Sequence, residues 1–274
     1  MSLMKCIIVR VAAIFFAAIL FASCATLSST GVGRIKRYEV TSERLPQKFD
    51  GCRIAFISDI HYPSKFTRKR LAKVVRKLRD LRPQMLLLGG DYVTADDYID
   101  ELFDSLATVK SDYGTFAVLG NHEFSRRSAV EEAMNSRGIR LLKDEAHSLT
   151  SDSAVCIAGV ANPFRIDSTT VSPSATVADS AYTILLVHTP DYAQMVDAPA
   201  DIVLSGHTHG GQVSLFGLYT PVKNTRYGTR FLRGMNSTDS GVSVITTNGI
   251  GTSRRKIRIC VPSEIVVLTL RCAK

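Results

Sequence analysis

The chain has no CxxC pair anywhere in its 274 residues, which argues against a zinc site built on cysteine thiolates. Its six cysteines are scattered. Cys6 and Cys24 fall near the N-terminus, while Cys52, Cys156, Cys260 and Cys272 sit mostly among apolar neighbours. Buried free thiols and a disulfide in an oxidising compartment both fit that pattern, and spacing does not decide between them. No internal repeat is visible, and the single low-complexity stretch, Asp167 to Ser180, reads as a loop. No apolar run approaches the roughly 20 residues that a membrane-spanning helix needs. The longest is Val11 to Ala22, with 12 residues. No proline-rich linker or break in composition interrupts residues 45–270, so they read as one domain. Acidic residues are few, 25 against 34 Lys and Arg, and the formal charge is +9.

What is present at the N-terminus reads as an address. Lys5 and Arg10 supply a basic start, and the run from Val11 has the length of a signal-peptide core. It ends in Phe21-Ala22-Ser23-Cys24, where small residues before a cysteine resemble a bacterial lipobox, with Phe21 at the place where Leu is usual. Three outcomes remain open: a lipoprotein carrying lipid on Cys24, an uncleaved anchor that recruits Ile7 to Val9 despite Arg10, and ordinary secretion. Residues 1–24 are therefore assigned to targeting, 25–44 to a tether and lead-in, and 45–274 to the main domain. The expected location is the bacterial cell envelope.

Within the main domain, Arg53 to Ser58 reads as a buried strand. Thr67 is placed to cap a helix with Leu71, Val74, Val75, Leu78 and Leu81 on one face, ended by Pro83. Met85 to Leu88 and Thr115 to Leu119 read as strands, Tyr98 to Val109 and Ser128 to Ser136 as helices, with Gly138 as a stop. That alternation predicts a largely parallel sheet covered by helices. The second half reads mainly as strands: Ala154 to Gly159, Tyr182 to Val187, Ile202 to Leu204, Val242 to Thr247 and Ile265 to Leu270. The expected fold class is α/β, two facing mixed sheets flanked by helices.

Five segments place metal-ligand residues just where an apolar strand stops. They are Asp59-Ile60-His61, Gly90-Asp91, Gly120-Asn121-His122-Glu123, His188-Thr189-Pro190 and Gly206-His207-Thr208-His209. Strand ends of an α/β sheet share one crevice. Of the six histidines only His147 lies outside these segments, so chance placement is a poor account of them. Carboxylate, amide and imidazole together suit Mn, Fe, Zn or Co better than calcium.

In this order the segments resemble the metallophosphoesterase (calcineurin-like) superfamily pattern DxH, GD, GNH[DE], H and GHxH. The likeness spans about residues 52–271 and implies a four-layer sandwich. The longer forms SDIHYP, GGDYV, GNHEF, VHTPD and SGHTHGGQV are similar to a membrane-associated bacterial phosphodiesterase branch. That branch includes enzymes that cleave UDP-2,3-diacylglucosamine in lipid A synthesis. The resemblance implies two divalent transition-metal ions. Asp59, His61, Asp91 and His209 would hold one, and Asp91, Asn121, His188 and His207 the other, with a hydroxide between them as nucleophile. It makes His122 the residue that stabilises charge on the phosphate or protonates the leaving oxygen. Glu123 either orients the His122 ring or faces solvent. Gly210, Gly211 and Gln212 are expected beside the site. The expected activity is hydrolysis of a phosphodiester or pyrophosphate, with UDP-2,3-diacylglucosamine as one alternative. A nuclease and a non-catalytic scaffold of the same fold are the others.

A basic run from Lys65 to Arg82 carries nine cations. A solvated helix face, a membrane-surface contact and a nucleic-acid contact all fit it. Only Tyr62 and Phe66 stand nearby to stack bases, and the export signal argues against intracellular nucleic acid, so none is expected as a partner. Partners are therefore expected to be a phosphoester, free or lipid-linked, and a membrane surface, with the chain acting as a monomer. Tyr62, Phe66 and Phe124 flank the motifs as candidates for an apolar contact with such a substrate.

Overall fold

In Arg53–Ile57 (β2) every residue after Arg53 is buried, and so is all of Met85–Leu88 (β3). The computed structural model describes residues 7–15, 32–63, 66–196, 198–215, 217–254 and 257–273. Strands with no polar face must be covered on both sides. The first sheet therefore carries helices on one face and a second sheet on the other. Its order is Arg34–Ser42 (β1), Glu264–Cys272 (β12), β2, β3, Thr115–Ala117 (β4) and Ile139–Leu141 (β5). The second runs Gly234–Ser237 (β10), Ser243–Thr246 (β11), Ile202–Ser205 (β9), Tyr182–Leu186 (β8), Val155–Gly159 (β7) and Glu145–Ser148 (β6). Both sheets are mixed: β12 is antiparallel to β2, and β10 and β6 are antiparallel to their neighbours.

The two-residue period sorts the core into layers. Ile54, Phe56 and Leu87 meet Ile157, Ile184 and Leu204 of the second sheet. Their neighbours Ala55, Ile57 and Leu88 face the helices Arg68–Leu81 (α2), Ile99–Ala107 (α3) and Arg127–Asn135 (α4). On the far side Leu185, Val203 and Val244 pack against Tyr192 and Ala193 of the short helix Asp191–Met195 (α5). The two facing sheets flanked by helices follow the expectation. The Thr67 side chain accepts a bond from the Arg70 amide, and α2 ends at Arg82 with φ 45° just before Pro83.

Three features differ from the sequence reading. Residues 34–42, assigned to the lead-in, form edge strand β1, paired in parallel with β12 along its whole length. Its half-charged sequence RIKRYEVTS hides it, because an edge strand needs only one covered face. Tyr62 and Phe66 are buried and stack edge-to-face at 6.2 Å, so neither offers an apolar surface to a ligand. The basic run is not one free face. Arg70 is buried, donating to the Ile250 carbonyl and the Ser263 hydroxyl, and Arg68 pairs with Glu101 at 2.6 Å. Lys65, Cys24 and residues 16–31 lie outside the described residues. Cys52, Cys156 and Cys272 are free thiols, the first two buried and the third half-buried, and Cys260 is half-buried. Residues 7–15 form a helix (α1) exposed at every position. No helix among the described residues is long and apolar enough to cross a membrane.

Candidate metal centre

Five of the seven predicted ligand residues have left-handed backbone: Asp59 (φ 55°), His61 (50°), Asp91 (57°), His207 (68°) and His209 (52°). Such conformations cost roughly 1–3 kcal/mol each in non-glycine residues and persist where the surroundings impose them. Each follows a strand of the inner sheets, and the sharp turn lets side chains two residues apart, Asp59 with His61 and His207 with His209, enter one space. Glycine makes room for it. A Cβ on Gly90 (φ 94°) would lie 2.5 Å from the Gly120 amide nitrogen and 2.7 Å from His188 Nδ1.

The side chains meet in two groups. Ligand atoms of Asp59, His61, Asp91 and His209 lie within 4.8 Å of one another, and so do those of Asp91, His188 and His207. Asp91 belongs to both. His61 Nε2 and His188 Nε2 each stand 3.5 Å from its Oδ2. His61 Nε2 is 3.1 Å from His209 Nε2, and His207 Nδ1 is 3.2 Å from His188 Nε2. The Gly89 carbonyl accepts from His188 Nδ1 at 2.7 Å, which turns Nε2 toward the site.

Electrostatics favours cations here. Burial, above all, brings the His61 imidazole down to about 4 and His207 to about 3, and drives His209 well below its usual value, so these rings are neutral donors. Burial pushes the Asp59 carboxyl up to about 6. Burial alone would raise Asp91 as well, but the imidazoles of His188, His61 and His122 outweigh it and hold the carboxyl well below the carboxylate range. Across that pair burial would lower His188, and the Asp91 charge instead lifts it to about 9. Asn121 Oδ1 is buried with no hydrogen-bond partner, as a ligand oxygen awaiting a cation would be. The donor set thus fits two divalent ions, with Asn121 completing the second group.

Two motif residues sit apart from the ligands. The His122 side chain is 40% exposed at the rim, its Nε2 3.9 Å from Asp91 Oδ2, and its ring lies edge-on to His61 at 4.7 Å. Its amide donates to Asp91 Oδ1 at 3.0 Å. Glu123 neither faces solvent nor supports the His122 ring. It is fully buried, and its carboxylate accepts from the amides of Asp91 (2.8 Å), Tyr92 (2.8 Å) and Gly120 (2.9 Å). Its place in the catalytic set is thereby corrected: the short tight turn after β4 points it inward, where it ties the turns after β3 and β4 together. Burial and then the Asp91 charge push its carboxyl up to about 7. Replacing Glu123 with Ala would leave three buried amides unbonded, at about 1–3 kcal/mol each. The melting temperature of Glu123→Ala is expected to fall markedly, with Glu123→Gln falling less. Equal melting for the two variants would refute the clamp.

Gln212 also turns out to be structural, exchanging bonds with Ser253 at 2.9 and 2.5 Å. His147 lies away from the site, tilted against Phe116. Two residues near the ligands carry no motif signal. Arg258 is buried and donates to the carbonyls of His209, Asn248, Gly249, Gly251 and Val261, fixing the loops that bear His209. Phe164, 42% exposed, stands 5.0 Å from the His207 ring and 6.1 Å from Phe124, so an aromatic edge flanks the second group. Of the three aromatics expected at the mouth, Phe124 alone is exposed there.

Comparison with known proteins decides the family. A model described as calcineurin-like phosphoesterase matches residues 52–211, more than half of the chain. This chain belongs to that family. It is a metal-dependent phosphoester hydrolase, and the family and ligand cluster imply divalent metal ions. It is 28% identical over 242 residues to the uncharacterized metallophosphoesterase YkuE of Bacillus subtilis, covering 85% of this chain and 84% of that one. It is 29% identical over 229 residues to the phosphodiesterase YaeI of Escherichia coli, covering 80% and 82%. Among solved structures, a dimetal phosphatase from Danio rerio covers 80% of this chain and 99% of that one, at 12% identity and a TM-score of 0.46.

Proposed function

We propose that this family member hydrolyses phosphodiester or phosphoanhydride bonds at a two-metal centre, working at the bacterial cell envelope. One observation carries the reading: Asp91 is shared by two sets of imidazole and carboxylate donors, with His122 standing over the same carboxylate at the open rim. Asp59, His61, Asp91 and His209 would hold one ion, and Asp91, Asn121, His188 and His207 the other. Two such ions would supply positive charge to phosphate oxygens and make a water molecule more acidic near neutral pH.

The chain's own groups do the rest. Asp91, with two oxygens, spans both sets and fixes their separation. Burial keeps His61, His207 and His209 neutral and bare toward the ions. His122, reachable from solvent, would contact the substrate phosphate and place a proton on the leaving oxygen. The name of the Escherichia coli relative supports a diester. The N-terminal segment ending at Cys24 supports the location.

The test is a substrate panel on the metal-reconstituted full chain. It should contain bis-p-nitrophenyl phosphate, p-nitrophenyl phosphate, a nucleoside diphosphate-linked lipid, and single- and double-stranded DNA. Hydrolysis is expected on a diester or anhydride and is expected to vanish with chelator and return with Mn²⁺ or Zn²⁺. Full activity in metal-free protein, or turnover of monoesters alone, would overturn this reading.

A further inference from the structure

Directly after the ligand loop Gly206–His209 the chain makes a projecting finger. Leu215 and Tyr219 bridge antiparallel, the Leu215 amide donates to the Tyr219 carbonyl at 2.7 Å, and Gly217 turns the tip at φ 79°. Water should drive apolar side chains off such a tip, yet they are what it presents. Leu218 is 90% exposed, Tyr219 60%, Val222 50% and Leu215 40%. Ile257, 40% exposed, stands beside them, because residues 212–214 run alongside Ile259. Of the nine large hydrophobics described as exposed outside α1, these are five. The remaining four are single or lie on the Phe124–Phe164 edge and elsewhere, so the clustering is local to this lobe. Contiguous exposed apolar surface of this kind marks an interaction site.

The charge around the finger identifies the partner. From Gly206 to Pro262 the sequence has eight Lys and Arg and one acidic residue, Asp239. Asp239 is already paired with Arg230 at 2.6 Å, and Arg258 is buried. Lys223 follows the finger directly. Arg254 is exposed on the turn that Gln212 ties to the finger's root through Ser253. Apolar side chains at a tip with cations behind them match an anionic lipid surface, where the apolar groups enter the headgroup boundary and each nearby cation adds about 1 kcal/mol. Helix α1 points the same way: Ile7, Ile8, Val9, Val11, Ile14 and Phe15 are all more than half exposed, a second exposed apolar element among the described residues.

We infer that the Leu215–Val222 finger, with Lys223 and Arg254 behind it, docks the protein on an anionic bilayer, and that the α2 helix does not provide this contact. The finger is rooted in the metal centre. Arg233 donates to the Gly210 carbonyl at 3.5 Å and to the Gly217 carbonyl at 3.4 Å, and Thr220 packs against Gly211. Docking through it turns the mouth of the site toward the headgroups. The inference does not rest on the hydrolytic reading, since lipid contact is measured without turnover.

The chain has no tryptophan, so Leu218→Trp in the full-length protein gives a single indole at the tip. Val171→Trp, on a 70% exposed residue of a different loop, is the control. Both are mixed with vesicles of phosphatidylcholine alone or with phosphatidylglycerol added. On anionic vesicles the emission of the 218 indole is expected to move to shorter wavelength and to be quenched by lipids brominated in the acyl chain, while the 171 indole stays in water. Adding Lys223→Gln and Arg254→Gln to the reporter should weaken binding, whereas Arg76→Gln with Lys77→Gln should leave it unchanged. Four results overturn the inference: no binding to anionic vesicles, bound protein with unshifted 218 emission, equal shifts of both indoles, or a 218 shift that grows with protein concentration in the absence of lipid, which would assign the finger to a second copy of the chain. Hydrolysis of a soluble ester by the same proteins is scored separately.

Discussion

Asp91→Asn is expected to lose most of both metals and to lower kcat by at least about 10²-fold, because one carboxylate stands in both donor clusters and mutation even of groups behind metal ligands commonly costs 10–100-fold. Asn keeps the shape of the side chain but removes the charge that faces His61, His188 and His122 together. It also keeps an oxygen for the His122 amide, which Asp91 Oδ1 accepts at 3.0 Å, so the local turn survives. The measurement is elemental analysis of purified protein, with circular dichroism to confirm folding. A folded variant that still carries two ions per chain would show that Asp91 is not the shared ligand. Loss of a single ion would place it in one set only.

His122→Asn is expected to retain both ions and to lower kcat by ~10²–10⁴-fold, the range for a positioned acid or base. Its ring is 40% exposed while those of His61, His188 and His209 are at most 3% exposed, the difference expected between a substrate contact and a buried ligand. The variant should be most impaired on esters with poor leaving groups, whose departing oxygen needs the proton most. Esters of acidic alcohols should be less affected. If the variant loses metal as His207→Asn does, His122 is a ligand and its assigned role is wrong.

The two variants probe residues that were legible in the sequence for a simple reason. Metal ligands come from few residue types, here His, Asp and Asn, and in an α/β sheet a ligand crevice lies where strands end, so residue type and position coincide in five short segments. The inner strands were equally visible, since a strand buried on both faces is an unbroken apolar run, as in Met85–Leu88. The capping of α2 by Thr67 is a local interaction and was legible for that reason. Edge strands were not. β1, β5, β6 and β10 are short or carry charged residues on a wet face, and what makes them strands is a neighbour far away in sequence, such as Glu264–Cys272 for β1.

The sequence by itself determined the family chemistry: which side chains are available, their order, and the sheets that carry them. Only the tertiary structure decided what the polar residues between them do. Glu123 is a buried clamp on three amides, Gln212 a tie to Ser253, and Arg70 an internal brace, although sequence allowed each a place at the site or surface. The reason is that a carboxylate, an amide or a guanidinium takes whatever donors and acceptors surround it once buried. Those partners lie up to 193 residues away, as for Arg70 and Ser263, and no local spacing encodes them. The same holds for exposure. Tyr62, Phe124 and Tyr219 are alike as aromatic letters, and only the packing of the chain around them buries the first and leaves the other two to solvent.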